Sequence, residues 1–311
     1  MELARSSLVA AVRDVSFTVN RGEIFCIMGL SGSGKSTLVR CLASLLTPTH
    51  GTVSLLGVDL VKAAEPELVA LRRSAISMVF QDFALLPHLT VLENIAFPLR
   101  VRGTSVPKRH EIARRMCDLV GLAGREEFYP HELSGGQQQR VGIARSLTTD
   151  PQVWFLDEPF SALDPLIRQD MQDELLRLQA MLHKTIVFIT HDFDEAVRLA
   201  TRIAIMREGR IVQLAQPEEL IVMPADDYVA RFTAKVSFAD VIRVRTIMRE
   251  GNAASDEAPI PANALVRDVA TRILDAGRPI CVSDENGRIV GAVAPSAVVD
   301  VLARRWSGAS R

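Results

Sequence analysis

The stretch Gly29-Leu30-Ser31-Gly32-Ser33-Gly34-Lys35-Ser36, followed by Thr37, has the spacing GxxxxGK[ST]. That spacing suits phosphate. The glycines let backbone N–H groups turn inward with no Cβ in the way. A helix beginning at this point adds unpaired donors and a dipole that favours an anion. Lys35 can reach the outer phosphates as a point charge, and the Ser36 hydroxyl is a hard oxygen ligand for Mg2+. A second pair of chemical groups, Asp157-Glu158, ends the apolar run Val153-Trp154-Phe155-Leu156. Adjacent carboxylates at a buried strand end cost desolvation and repel each other unless a cation is present. Asp157 is therefore a candidate Mg2+ ligand. Glu158 is a candidate base for an attacking water, a role worth about 10²–10⁴ in rate.

These groups need elements to hold them. GEIFCIM over 22–28 reads as a buried strand that feeds the Gly-rich turn, and KSTLVRCLASLL reads as the helix after it. VSLLGV, SMVF, VWFLD, TIVFIT and RIAIM are further strand candidates, separated by amphipathic stretches such as LIRQDMQDELLRLQAML. Strands alternating with helices predict an α/β fold with a mostly parallel sheet covered on both faces. In such a sheet, ligands gather at the carboxyl ends of the strands, which is where Gly29 and Asp157 fall. From about Asp82 to Leu147 helical patterns replace strands, predicting a helical insertion. Glu208-Gly209-Arg210 reads as a hairpin turn. Aromatic residues are only 5% of the chain, so the core is expected to be aliphatic.

Charge and length exclude some classes. The 311 residues predict one large and one small domain. A net charge of −1 gives no basic field for nucleic acid. Cys26, Cys41, Cys117 and Cys281 lack metal-ligand spacing and read as small buried residues of a reducing compartment. The N-terminus carries no signal-like run, and no segment reaches the roughly 20 apolar residues that span a bilayer. The expectation is a soluble chain that meets a membrane only through a partner.

Leu133-Ser134-Gly135-Gly136-Gln137, ahead of the helical QQQRVGIARSL, makes a second anion-binding helix end. One nucleotide cannot use two such sites far apart in one chain, but two chains packed head to tail can sandwich it. With this motif the sequence resembles the ATP-binding cassette family, in which LSGGQ is the signature and acts in trans. Gln81 in MVFQDF matches the Q-loop, Asp164 in SALD the D-loop and His191 in FITHDFDEA the H-loop. The resemblance covers about residues 12–235. It implies a RecA-like P-loop NTPase fold and ATP hydrolysis with Mg2+ held by Ser36, Asp157 and Gln81. Gln81 would also sense the transmembrane partner, His191 would contact the γ-phosphate and position Glu158, and Asp164 would link the two half-sites. It further implies a homodimer at the cytoplasmic face of the plasma membrane, attached to permease subunits and served indirectly by a substrate-binding protein.

A narrower resemblance, carried by IMGLSGSGKSTLVRCL, MVFQDFALLPHLTVLENIAFPL and FSALDPLIRQDMQDELLRLQ, is to the ATPases of glycine betaine, proline and choline importers. The alternatives are an importer of another small solute and a soluble cassette protein acting on DNA or ribosomes. The latter would carry coiled coils, zinc cysteines or two cassettes, none of which is found. A small-molecule kinase would lack LSGGQ. Two features depart from the family. Ser6-Ser7-Leu8-Val9 offers no aromatic residue to stack on adenine, and Ala43-Ser44 replaces a frequent Asn-Arg pair. Phe83, Leu85, Leu86, Pro87 and His88 form an apolar loop expected to meet the permease. The expected organisation is an ATPase domain over 1–235, with its helical subdomain at about 82–147, then a linker and regulatory unit over 236–311. GNAASDEAP reads as the linker. The sequence from Pro259 to Ala303 resembles a single CBS motif, with Asn286-Gly287 as its hairpin turn.

Overall fold

The computed structural model describes residues 10–234, 236–251, 253 and 257–304. Ser6-Ser7-Leu8-Val9, the stretch that offers adenine no aromatic residue, lies outside them. The chain packs as two units, divided between Val212 and Gln213.

The first unit is built around one sheet. In chain order its elements are β1 (Ile24–Met28), α1 (Lys35–Leu42), β2 (Ser54–Leu55), β3 (Val58–Asp59), α2 (Glu65–Ser74), β4 (Ile76–Val79), α3 (Val91–Val101), α4 (Val106–Leu119), α5 (Gly135–Leu147), β5 (Val153–Asp157), α6 (Pro165–Leu182), β6 (Thr185–Thr190), α7 (Phe193–Leu199), β7 (Arg202–Arg207) and the start of β8 (Arg210–Ala215), a strand that runs across the division. The six-stranded sheet has the order β4-β5-β6-β1-β7-β8. β4, β5, β6, β1 and β7 run parallel, with Val79 beside Leu156, Asp157 beside Ile189 and Met28 beside Thr190. β7 turns into β8 through Glu208 (φ 50) and Gly209 (φ 81), a pair of left-handed residues that suits a two-residue hairpin.

Every residue of β1, β5 and β6 is buried, as strands covered on both faces require. The core is not purely aliphatic. Trp154, Phe25, Phe155, Phe160 and Phe188 are among its largest fully buried side chains. Aromatics are few here, but a share of them is concentrated in the central strands. VSLLGV is not a strand of the main sheet. Leu56 and Gly57 take left-handed conformations, so it folds into the small β2-β3 hairpin. Between Asp82 and Leu147 the described residues form helices and turns with no strand, and α3, α4 and α5 pack on one another. Cys26 and Cys117 are buried, whereas Cys41 and Cys281 are only half-buried.

The second unit contains α8 (Pro217–Val222), α9 (Asp227–Thr233), α10 (Val244–Ile247), β9 (Ile260–Pro261), α11 (Val266–Ala276), β10 (Ile280–Ser283), β11 (Ile289–Val293) and α12 (Pro295–Leu302). β10 and β11 form the expected hairpin, and Gly287 has φ 77. The division at 212 differs from the boundary read at 235, and the reason is packing. Ala239, Ile242, Val244 and Ile247 share one buried core with Ile260, Ile273, Val282 and Val298, and Val222 packs against it. Arg249 also bridges to Ala292. The residues ahead of GNAASDEAP are thus part of the unit; of that segment, read as a linker, residues 252 and 254–256 lie outside the described ones. A cleft of about 1240 Å³ opens in this unit, lined in part by Glu218, Arg245, Arg249, Glu250 and Asp300.

Candidate active site

The parallel register brings the sequence candidates to one edge of the sheet. Gly29 follows β1, Asp157 ends β5, and His191 follows β6, all on neighbouring strands. Gln81 leaves the same edge two residues beyond Val79 and is exposed.

The loop from Gly29 to Gly34 is shaped by steric necessity. A Cβ on Gly29 would lie 2.3 Å from the Met206 carbonyl oxygen, and one on Gly34 would lie 2.0 Å from that of Ala11. Gly34 caps α1 with φ 99, a conformation that L side chains avoid. Leu30 is 59% exposed at the loop tip, next to exposed Ser31 and Gly32. Ser33 is buried, and its Oγ has no hydrogen-bond partner among the described residues. Lys35 folds back over the loop, its Nζ donating to the carbonyls of Gly29 (2.8 Å) and Leu30 (3.1 Å). Burial lowers the Lys35 pKa, opposed by Glu158 and Asp157. Ser36 and Thr37, in the first turn of α1, are half-buried.

Ser36 Oγ donates to Asp157 Oδ1 at 3.4 Å. Burial raises the Asp157 carboxyl above its ordinary range, Ser36 and Arg40 pull it back, and Glu158 adds to the rise. A buried hard-oxygen pair that gains from a nearby cation fits Mg2+ chemistry. Among the described residues no group of three His, Cys, Asp or Glu gathers as a metal cluster, so hydroxyl, amide and phosphate oxygens would complete such a site. Glu158 takes a left-handed conformation (φ 46) and its N–H donates to the Ile189 carbonyl. Its Oε2 meets His191 Nδ1 at 3.2 Å. The Glu158 side chain is 20% exposed and that of His191 58%, so the pair stands at the mouth of the site.

Ser134 to Gln137 form a separate feature. Ser134 caps α5, accepting from the Gln137 N–H, while the Gln137 side chain accepts from the Ser134 N–H. A Cβ on Gly136 would lie 2.5 Å from Ile167, and one on Gly135 would lie 3.7 Å from Leu163. These contacts run to the start of α6, not to the phosphate loop. Asp164 caps α6, its Oδ1 accepting from the Ile167 N–H at 3.1 Å. Phe83 is buried in its own chain, its carbonyl held by Arg145, which leaves Leu85, Leu86, Pro87 and His88 as the half-buried to exposed part of the loop.

A sequence model described as ABC transporter matches residues 12–161. The trimethylamine N-oxide transport system ATP-binding protein TmoW of Ruegeria pomeroyi (strain ATCC 700808 / DSM 15171 / DSS-3) is 50% identical over 301 residues, which is 97% of this chain and 88% of that protein. The chain belongs to the ABC transporter ATP-binding proteins. ProV of Escherichia coli (strain K12), named for glycine betaine/proline betaine transport, is 50% identical over 79% of this cassette protein and 62% of its own length. A dimeric structure of the ATP-binding cassette MJ0796 bound to ADP and Pi aligns with TM-score 0.62 and 34% identity over 67% of this chain and 91% of that one. As a member of the ABC family, the chain binds ATP, and among its described residues no helix is long and apolar enough to cross a membrane.

Sequence reading did not find the polar residues that brace this cassette site. Ser161 donates to the Glu158 carbonyl at 3.0 Å. Arg168, Thr190, Asp192 and Glu195 join in a network behind His191. One signal was available: Arg168 lies four residues past the capping Asp164, and one helical turn aims it back toward the loop it follows.

Proposed function

We propose that this chain hydrolyses ATP to power uptake of a small solute whose nitrogen carries four non-hydrogen substituents. The observation that carries hydrolysis is the 3.2 Å contact between Glu158 and His191, at the sheet edge that also bears Lys35 and Asp157. On this reading the loop N–H groups and Lys35 bind the phosphates, with Lys35 leaving the Gly29 and Leu30 carbonyls to do so. Glu158 takes the proton of the attacking water, and His191 holds the Glu158 carboxylate in place and faces the γ-phosphate. Ser36, Asp157 and Gln81 would hold Mg2+, which when bound supplies charge neutralisation on the outer phosphates.

Ser134, Gly135, Gly136 and Gln137 complete the site of a second copy, and Asp164 connects the two halves. The dimeric cassette found for MJ0796 and the separation of this motif from the phosphate loop both support a head-to-tail homodimer. The loop from Gln81 to His88 is the surface offered to permease subunits, at the cytoplasmic face of the membrane. A substrate-binding protein would deliver the solute to those subunits.

The cargo rests on the relatives. Trimethylamine N-oxide, glycine betaine and proline betaine, the solutes for which those relatives are named, share the fully substituted nitrogen. Choline, named in the narrower sequence resemblance, belongs to the same proposal, whereas free proline, a secondary amine, falls outside it and is the alternative small solute. Uptake of labelled trimethylamine N-oxide and glycine betaine in cells with and without this chain tests it. Loss of either uptake upon deletion supports the class, and unchanged uptake of both contradicts it. The hairpin unit and charged cleft after Gln213 support a regulatory or dimer-stabilising role. Unaltered salt dependence of uptake in an Arg245→Ala/Arg249→Ala variant of the cleft would dismiss a sensing role.

A further inference from the structure

Arg168 stands in the first turn of α6 and reaches three places. Its Nη2 donates to the Leu163 carbonyl at 3.2 Å, at the end of the loop that begins with Glu158. Its Nη1 donates to Asp192 Oδ2 at 3.4 Å. Its Nε is buried, without a hydrogen bond, 3.7 Å from Glu195 Oε1.

The acids it meets are tied to both sides of His191. On one side, Thr190 Oγ1 donates to Glu195 Oε2 at 2.7 Å. On the other, the Asp192 N–H donates to Thr190 Oγ1 at 3.0 Å. Asp192 Oδ1 also caps α7, accepting from the N–H groups of Asp194 and Glu195. Glu195 is 5% exposed, and a carboxylate buried that far needs a cation or donors around it. Thr190 supplies a donor and Arg168 the cation. Arg168, Thr190 and Glu195 also line, with Glu158 and His191, a cavity of about 30 Å³. That volume holds one water among polar partners.

We infer that Arg168 is a positioning residue for hydrolysis: it clamps the loop from Glu158 to Leu163 against the turn that carries His191, and so maintains the Glu158–His191 contact. It acts through that pair, so the inference rests on the hydrolytic reading of Glu158 and His191. A reacting group displaced by about 1 Å can lose about 10² in rate, so a clamp of this kind is worth retaining.

The test is steady-state ATP hydrolysis by the full chain as Arg168→Ala, Arg168→Lys, His191→Ala and the Arg168→Ala/His191→Ala double variant. Nucleotide titration of each sample sets the competent fraction, which removes loss of folded chain from kcat. Arg168→Ala is expected to lower kcat by about 10- to 100-fold while the KM for ATP moves by less than about 3-fold. Arg168→Lys should recover part of kcat, because it keeps a charge for Asp192 and Glu195 but not the bond to Leu163. In the double variant the Arg168 change should add little to His191→Ala, as expected of residues acting through one unit. Should Arg168→Ala not fold, the lysine variant carries the same comparison.

A kcat within about 2-fold of the parent, or losses that multiply in full with His191→Ala, would overturn the clamp and leave the hydrolytic pair standing. Full turnover by His191→Ala would remove the pair itself, and the clamp with it.

Discussion

Lys35 shows how much a single residue position decides. Its ammonium already satisfies two loop carbonyls, so phosphate must compete with an internal partner. Lys35→Ala removes the cation and also the tie that shapes the loop. It should therefore lose ATP affinity as well as rate, both read from nucleotide titration and turnover on one preparation. Wild-type affinity with only kcat lowered would place Lys35 outside ground-state binding. The residues that touch phosphate in the proposed mechanism were legible in the sequence, because phosphate chemistry dictates glycine, lysine and hydroxyl at fixed spacing. Arg168, Asp192 and Glu195 were not, because their roles exist only once α6 and the turn after β6 meet in space. The 3.2 Å contact of Glu158 with His191 links residues 33 positions apart, and only the sheet register brings them together.

At the scale of elements, alternating apolar runs gave the parallel strands correctly, since buried strands need continuous hydrophobicity. VSLLGV misled because its Leu56-Gly57 turn is local chemistry inside an apolar run. The loop from Leu86 to Thr90 has no periodicity to read. The fully buried Asn94 of α3 builds it, accepting from the Leu86 N–H and donating to the carbonyls of Leu86, Leu89 and Thr90. α4 offers a clean titration. Burial pushes the Cys117 thiol up from 9.0 to about 12. The unfolded thiol ionises first, so the folded state keeps a proton that the unfolded chain has released. This contribution to stability is complete below pH 9.0 and fades as pH rises toward about 12. Cys117 should resist iodoacetamide in the native chain at pH 8 and react after denaturation, as mass spectrometry of the alkylated peptide would reveal. Rapid native alkylation would mean that α4 opens readily.

At the scale of the whole chain, the reading of the sequence places the division near residue 235, where the alternation of strands and helices gives way to a different pattern. Packing places it at 212, because Val222 packs on the core of the later unit and Glu218 pairs with Arg243, Arg245 and Thr246. Within that unit Ala239, Ile242, Val244 and Ile247 need the apolar face of α11 and α12 to be buried. Truncation after Glu250 should therefore strand these side chains in water and give a chain prone to aggregate, as light scattering would record. A soluble, monodisperse product would show that this segment has no need of the later helices.

The reading of two half-sites makes the hydrolytic unit a pair of chains. Glu158→Gln leaves the phosphate loop intact and removes the base, so ATP should bind, remain uncleaved and hold two copies together. Light scattering of that variant, with and without ATP and Mg2+, is the decisive experiment. The expected result is a mass that doubles from 34.1 kDa only with ATP, alongside negligible phosphate release. A chain that stays at 34.1 kDa with ATP bound, or that hydrolyses ATP at the parent rate, would contradict it.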